Sequence, residues 1–559
     1  MGSIADGGQA LACALPQAFG EANRARSLQL SLSIVVGACA IVAGAYLRAT
    51  QLSTQILIDD EWHAIHKLLH SDVKGIVTSF GVADYSIPLT LYYRFLAMHG
   101  GLTEWQMHLP MLCAGIALLI VAPLLLRRHA SPPVLAAWVV LLTISPLLVY
   151  ESRTARPYAL TCLLVFVAIV AFRNWWRETP HSRAWGTAYA IATFLAGWLH
   201  LVTLPFTLLP FAYAGWRALV HRSSGGRAIA RLVVLALTIA VPLAVALVPP
   251  FLSNRAELAA KTAADSVTWE SAYRTLLMLF GIASPWLLAV CALLCVVGVR
   301  RFASRDADDF RYVAFVCVGA AAAIMVARPQ WIQHPLVLAR YLLPALPFVL
   351  LLLAEGAIAL VDRVGALSPA VAACAGIGLF LAGPIPAYLY WPNQFMGHQR
   401  FQFDYDPAHN PYVLEIPREP IPAFYRELAK RPPGSRTLIE APWRLESNFD
   451  PHPWYQQVHR QFVKIGLVTP TCGVRDFGDY PASVTELRFR NFVHLSDVLA
   501  GHASGADYLV MHVVPWKTPP DATVDWPDVE ACLPKIQASL GEPVYRDDRI
   551  VVFGLHGQN

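Results

Sequence analysis

Charge is scarce in this chain. Asp, Glu, Lys and Arg make up 14% of its 559 residues, about half the share ordinary in a soluble globular protein. That deficit, beside a hydrophobic share of 56%, excludes one large soluble domain and indicates a polytopic membrane protein. Nucleotide fingerprints are also lacking: there is no Gly-x-Gly-x-x-Gly and no P-loop pattern, which argues against dinucleotide or P-loop chemistry. No Cys-x-x-Cys or Cys/His metal spacing occurs, and no internal repeat. Met1 to Ala25 lacks the compact pattern of a cleaved signal peptide, so the first apolar run is expected to stay as an anchor. The net charge of +5 does not suggest nucleic-acid binding. Most basic residues lie between apolar segments, where they set topology.

What is there is a series of apolar runs, each long enough to cross a bilayer. Positive-inside bookkeeping orders about eleven spans: Ser31–Leu47, Leu109–Leu126, Val134–Tyr150, Tyr158–Phe172, Ala184–Trp198, Leu201–Trp216, Leu232–Leu252, Thr275–Val299, Tyr312–Ala327, Val337–Val361 and Ser368–Trp391. Residues 1–30 form a cytoplasmic tail in this scheme. Glu61–Leu69 has helical apolar spacing but is too short to cross, and reads as an amphipathic helix on the outer interface. Pro88–His99 is taken as a second such piece. Glu355 is an odd charge near the inner end of its span. After Trp391 the composition turns charged, Pro-rich and aromatic. Strands are expected at Thr437–Ile439, Tyr508–Val514 and Ile550–Leu555, and helices at Phe424–Lys430 and Val529–Leu540, giving a soluble α/β domain over residues 392–559. If that domain is extracytoplasmic, Cys472 and Cys532 could pair, but two cysteines in a secreted domain are often left free, and free thiols are the favoured expectation.

This topology collects one set of polar residues on the outer side. Asp59, Asp60, Glu61 and His63 follow the first span. Glu151, Arg153 and Arg156 lie in the run from Tyr150 to Tyr158. His200, Arg328, Trp331, His334 and Arg340 complete it. Arginine suits a phosphate because its planar fork binds two oxygens, and a carboxylate beside it can take a proton from an acceptor. The plainer alternatives are interfacial acids and snorkelling helix-end arginines. Trp443, Trp454, Tyr455, Trp516 and Trp526 would either stack on sugar rings or serve as core aromatics.

An apolar span, an Asp-Glu pair, an amphipathic helix and then Ala155-Arg156-Pro157-Tyr158-Ala159-Leu160 resemble the membrane glycosyltransferases of the GT-C fold. Arg340-Tyr341-Leu342-Leu343-Pro344 adds to the likeness. The branch is that of protein O-mannosyltransferases and the aminoarabinose transferase of lipid A (glycosyltransferase families 39 and 83). The resemblance covers residues 31–391. It implies a GT-C catalytic domain that transfers a sugar from a polyprenyl-phosphate donor to a lipid, glycan or protein acceptor. The setting would be the outer face of a bacterial inner membrane, among membrane lipids. It implies Asp60 as general base and Glu61 as a second acid. Arg156 and Arg340 would contact phosphate; from the outer-face set rather than from the resemblance, Arg153, Tyr158, Glu151, His63 and His334 are taken as further substrate contacts. No cofactor is required; a divalent metal on His200 or His334 is conceivable but not expected. The chain departs from its relatives at Ser86-Ile87-Pro88, where many carry a basic residue, and in having its acid at Glu151. A transporter or flippase of a lipid-linked substrate, or a non-catalytic assembly protein, is the alternative reading.

Overall fold

The computed structural model describes residues 7–57, 59–80, 85–177, 181–220, 225–262, 265–282, 284–381, 420–443, 452–473, 486–502, 505–515 and 528–555. Peptide groups away from water must bond internally, and a helix does this within one segment. The chain accordingly opens with helix α1 (Gly7–Ala49), then a 3-10 turn at Asp59–Glu61. Three short helices follow: α2 (Trp62–His70), α3 (Val73–Val77) and α4 (Ile87–His99). Then come α5 (Glu104–Leu126), α6 (Pro132–Ile144), α7 (Pro146–Glu151), α8 (Tyr158–Trp176), α9 (Ser182–Leu199), α10 (Leu204–Val220) and α11 (Gly225–Ser253). The helical part ends with α12 (Arg255–Lys261), α13 (Trp269–Phe280), α14 (Pro285–Arg305), α15 (Ala307–Ala327), α16 (Pro335–Leu342), α17 (Leu346–Val361) and α18 (Ser368–Leu381).

Among the described residues, seven stretches are long and apolar enough to cross a membrane: Asn23–Ala49, Glu104–Leu126, Tyr158–Trp176, Gly226–Ser253, Pro285–Arg305, Ala307–Ala327 and Pro335–Val361. Val337–Val361 passes from α16 to α17 through a 3-10 turn at Leu343–Ala345, and two other expected spans are broken by non-helical residues. Val134–Tyr150 breaks between α6 and α7, where Pro146 lacks the amide hydrogen that would continue the ladder. Thr275–Val299 is really two helices. The first, α13, ends in a left-handed Gly281 (φ 68°), and α14 starts afresh at Pro285. The apolar run hid this break, because Gly281 and Pro285 sit inside it. The last expected span is helical to Leu381; its remainder and the boundary at residues 391/392 lie outside the described residues.

Glu355 is neutralised where it stands, by Arg301 Nε at 3.2 Å and Arg305 Nη1 at 2.6 Å. Nearby, Arg173 at the end of α8 pairs with Asp309 of α15. Gly298 and Gly356 let α14 and α17 meet closely: a Cβ on either would stand 1.9 Å from a backbone oxygen of the other helix, the small-residue contact that membrane helices favour.

The C-terminal region forms one sheet with the order β3-β2-β1-β4-β6-β5. Its strands are β1 (Thr437–Ala441), β2 (Phe462–Leu467), β3 (Phe492–His494), β4 (Tyr508–His512), β5 (Tyr545–Arg546) and β6 (Ile550–Gly554). Neighbours are parallel from β3 to β4 and antiparallel beyond it. Helices α19 (Ala423–Leu428), α20 (His452–His459), α21 (Leu495–Leu499) and α22 (Val529–Leu540) accompany it. Cys472 and Cys532 are joined in a disulfide.

This sheet domain is seated on the first loop of the helical part. The apolar face of α2 (Trp62, Ile65, Leu68, Leu69) shares a buried core with Trp443, Val463, Ile465 and Leu467. Trp62 packs against Trp443 and Phe492, with ring centroids 6.2 and 6.1 Å apart. Backbone bonds stitch the edge: Leu102 N donates to Arg488 O (2.7 Å) and Arg490 N to Leu102 O (3.0 Å). Gln456 Nε2 donates to Thr54 O at 2.7 Å.

Candidate active site

The α7–α8 connection is a tight turn over residues 152–157, closed by Arg153 N donating to Tyr150 O (2.9 Å). The turn places Glu151, Arg156 and Tyr158 beside the 3-10 turn of Asp59–Glu61, while α16 brings Arg340 in from the other side. Arg340 organises the group. Its Nη1 donates to Asp60 Oδ2 (2.9 Å), its Nε to Glu151 Oε1 (2.9 Å) and its Nη2 to the Tyr150 hydroxyl (3.1 Å). Its guanidinium also lies over the Tyr158 ring, 4.9 Å from the centroid.

Burial differs sharply between the two carboxylates on Arg340. The side chain of Glu151 is fully buried, whereas that of Asp60 retains 28% exposure. Asp60 is thus the carboxylate that an incoming molecule can reach. Burial works against its ionisation, but Arg156, Arg340 and His63 overcome it and hold the carboxyl down at about 2. Arg156 Nη1 donates to Asp60 O at 3.4 Å, and its Nε is buried with no hydrogen-bond partner among the described residues.

Other expected site residues serve as braces. Glu61 is buried; its Oε1 accepts from His108 Nε2 (2.9 Å) and from the Ala155 amide, which clamps the Asp60 turn to the Arg156 turn. Arg153 donates to the carbonyls at the end of α1, Arg48 O (3.0 Å) and Thr50 O (2.7 Å), and to Gln55 Oε1 (3.1 Å). A cation there satisfies the last carbonyls of α1 and suits the negative end of its dipole. His334 holds the N-cap position of α16 without a side-chain cap bond; burial and Arg340 lower its pKa, against a weaker pull from Asp60. His63 acts electrostatically on Asp60. His200 packs between Tyr158 and Tyr341, with centroids at 5.3 and 6.1 Å. Arg328 and Trp331 stay apart, on an exposed loop where Arg328 Nε donates to Asp265 O (3.0 Å). The Asp59 side chain lies outside the described residues.

His108 and Tyr150 were not anticipated. Each sits at the edge of an apolar run, and a polar ring there is the one available signal. Of the C-terminal aromatics, Trp443 and Tyr455 are buried; the side chains of Trp454, Trp516 and Trp526 lie outside the described residues.

No protein-family model matches the chain, and no curated protein does. Solved structures overlay on it at low identity. ArnT from Cupriavidus metallidurans in the apo state is 16% identical with a TM-score of 0.45, over 93% of this chain and 97% of that one. The same ArnT bound to undecaprenyl phosphate gives 16% and 0.44, over 94% and 98%. The arabinofuranosyltransferase AftD from mycobacteria gives 15% and 0.40, over 94% of this chain and 40% of that one. At these values the functional reading must stand on the site.

Proposed function

We propose that the chain is a GT-C-type glycosyltransferase, with residues 31–391 as the catalytic domain. It would move a hexosyl or pentosyl group from a polyprenyl phosphate to an acceptor hydroxyl on a lipid, glycan or protein. The observation that carries this reading is the Asp60–Arg340–Arg156 group: one reachable carboxylate among two guanidiniums at the mouth of apolar helices. The apolar helices suit a donor tail, and the guanidiniums suit its phosphate. The Cys472–Cys532 disulfide supports an oxidising, outer side for the sheet domain. A bacterial inner membrane facing the periplasm fits both.

In the reaction, the acceptor oxygen attacks the anomeric carbon as the carbon–oxygen bond to phosphate breaks on the opposite face. Configuration inverts, polyprenyl phosphate leaves, and the acceptor proton passes to Asp60. The leaving group is already an anion, so it needs charge stabilisation rather than protonation. Arg156 and Arg340 supply this. A carboxyl held at about 2 is a weak base while Arg340 grips it. Donor phosphate competes for the same guanidinium, so binding loosens the Asp60 pair and raises its basicity when it is needed.

Sugar transfer in proteoliposomes tests the assignment. Asp60→Asn should lower turnover by about 100-fold or more, the range for a lost general base, with the protein still folded. Near-wild-type turnover by a folded variant removes Asp60 from that role. Arg156→Ala should raise the donor KM; unchanged donor dependence rejects its phosphate contact.

A further inference from the structure

A second polar cluster lies in the sheet domain and plays no part in the transfer reading. The chain runs from β1 out to β2 and β3 on one flank, then returns to place β4 on the other. The crevice at the carboxyl ends of β1 and β4 is therefore the point where the strand order reverses, the position at which parallel sheets gather ligands. Glu440 is the penultimate residue of β1 and His512 the last of β4. His452 arrives at the start of α20. All three are buried, at 1, 4 and 1% exposure. Glu440 Oε2 stands 2.8 Å from His512 Nε2 and 3.9 Å from His452 Nε2, and one donor atom from each residue lies within 4.8 Å of the others. The second oxygen, Glu440 Oε1, is buried with no hydrogen-bond partner among the described residues. A carboxylate in the interior is costly unless a cation or donors meet it.

We propose that Glu440, His452 and His512 bind one divalent metal ion of the zinc class. Two imidazoles and a carboxylate are a known zinc donor set that leaves a fourth position for water. Ligand atoms about 2.0–2.2 Å from a tetrahedral ion stand about 3.3 Å apart. Of the two pairs that Glu440 makes, the closer would open, and the wider close, by about half an ångström. The Tyr425 hydroxyl donates to Glu440 Oε2 at 2.8 Å and holds the carboxylate in place, as outer partners of metal ligands do. His452 also stacks on Trp443, with centroids 4.0 Å apart, so an ion would tie α20 and Trp443 to the sheet.

The test uses the purified full chain in detergent, stripped with a chelator and then dialysed against Zn2+ or Co2+ alone. One equivalent of metal per chain should return, with the visible absorption of a tetrahedral Co2+ site. Glu440→Gln, which keeps shape and removes charge, and His452→Ala should each weaken uptake at least tenfold. X-ray absorption of the zinc-loaded wild type should show two imidazole ligands, a readout that needs no variant to fold. Failure of the wild type to take up metal stoichiometrically overturns the proposal. So does an ion without two imidazoles, or undiminished uptake by a folded variant.

Discussion

Two neighbouring acids, Asp60 and Glu61, have opposite work. Asp60 faces the opening and answers to Arg340; Glu61 is buried and ties two turns together. Glu61→Gln or His108→Ala should therefore cost about 3 kcal/mol, the penalty for stranding one partner of a buried pair. Both should lower Tm in detergent. The lowered pKa of Asp60 fixes a pH window. Its ion pair contributes fully above the unfolded carboxyl value of about 3.9 and fades as pH falls through about 2. Kinetics should show a second signature. The acid limb of kcat/KM reports free enzyme and that of kcat the substrate complex. If donor phosphate draws Arg340 away, the kcat limb lies at higher pH; coincident limbs would reject that release. Sequence reasoning brought Asp60, Arg156 and Arg340 together because topology puts three helix mouths on one side and the family resemblance picked those residues out of the polar set gathered there. It could not tell that Arg153 turns to the end of α1, since that depends on where the helix stops.

Helices here are held by close approach as much as by apolar bulk. The α14–α17 contact is the clearest case, since neither Gly298 nor Gly356 has room for a Cβ. Gly356→Leu should destabilise by about 1–3 kcal/mol or more, the range for overpacking a core. Gly378→Ala in α18, which meets nothing within 4 Å, is the control; thermal melts in detergent compare them. The element pattern was legible where an uninterrupted apolar run was long, as in α5 and α8. It failed at α13 and α14, where a glycine turn lay concealed in apolar sequence. It also missed β2 and β3; β3 has only three residues, and β2, of six, lies between β1 and β3 in the sheet. Glu440 lies one residue past the strand expected at Thr437–Ile439, and its histidine partners are 12 and 72 residues away, beyond any local pattern.

For the whole molecule, the sheet domain and the helical part act as one support for the Asp60 turn, through Trp62, Trp443 and the Leu102 edge. Within the sheet domain, the Cys472–Cys532 bridge spans a separation of 60 residues. Closing such a loop removes about 4 kcal/mol of unfolded-chain entropy in the chain-entropy model. Cys532→Ser should lower the melting of this domain accordingly, and reductant should do the same to the wild type but not to the variant.

The stitching of Leu102 to Arg488 and Arg490 has a consequence for biosynthesis. The edge closes only once the chain has been translated through Arg490, whereas the cover of Trp62 begins with Trp443. A chain cut before Arg488 is expected to insert its helices yet leave the Leu102 edge unpaired.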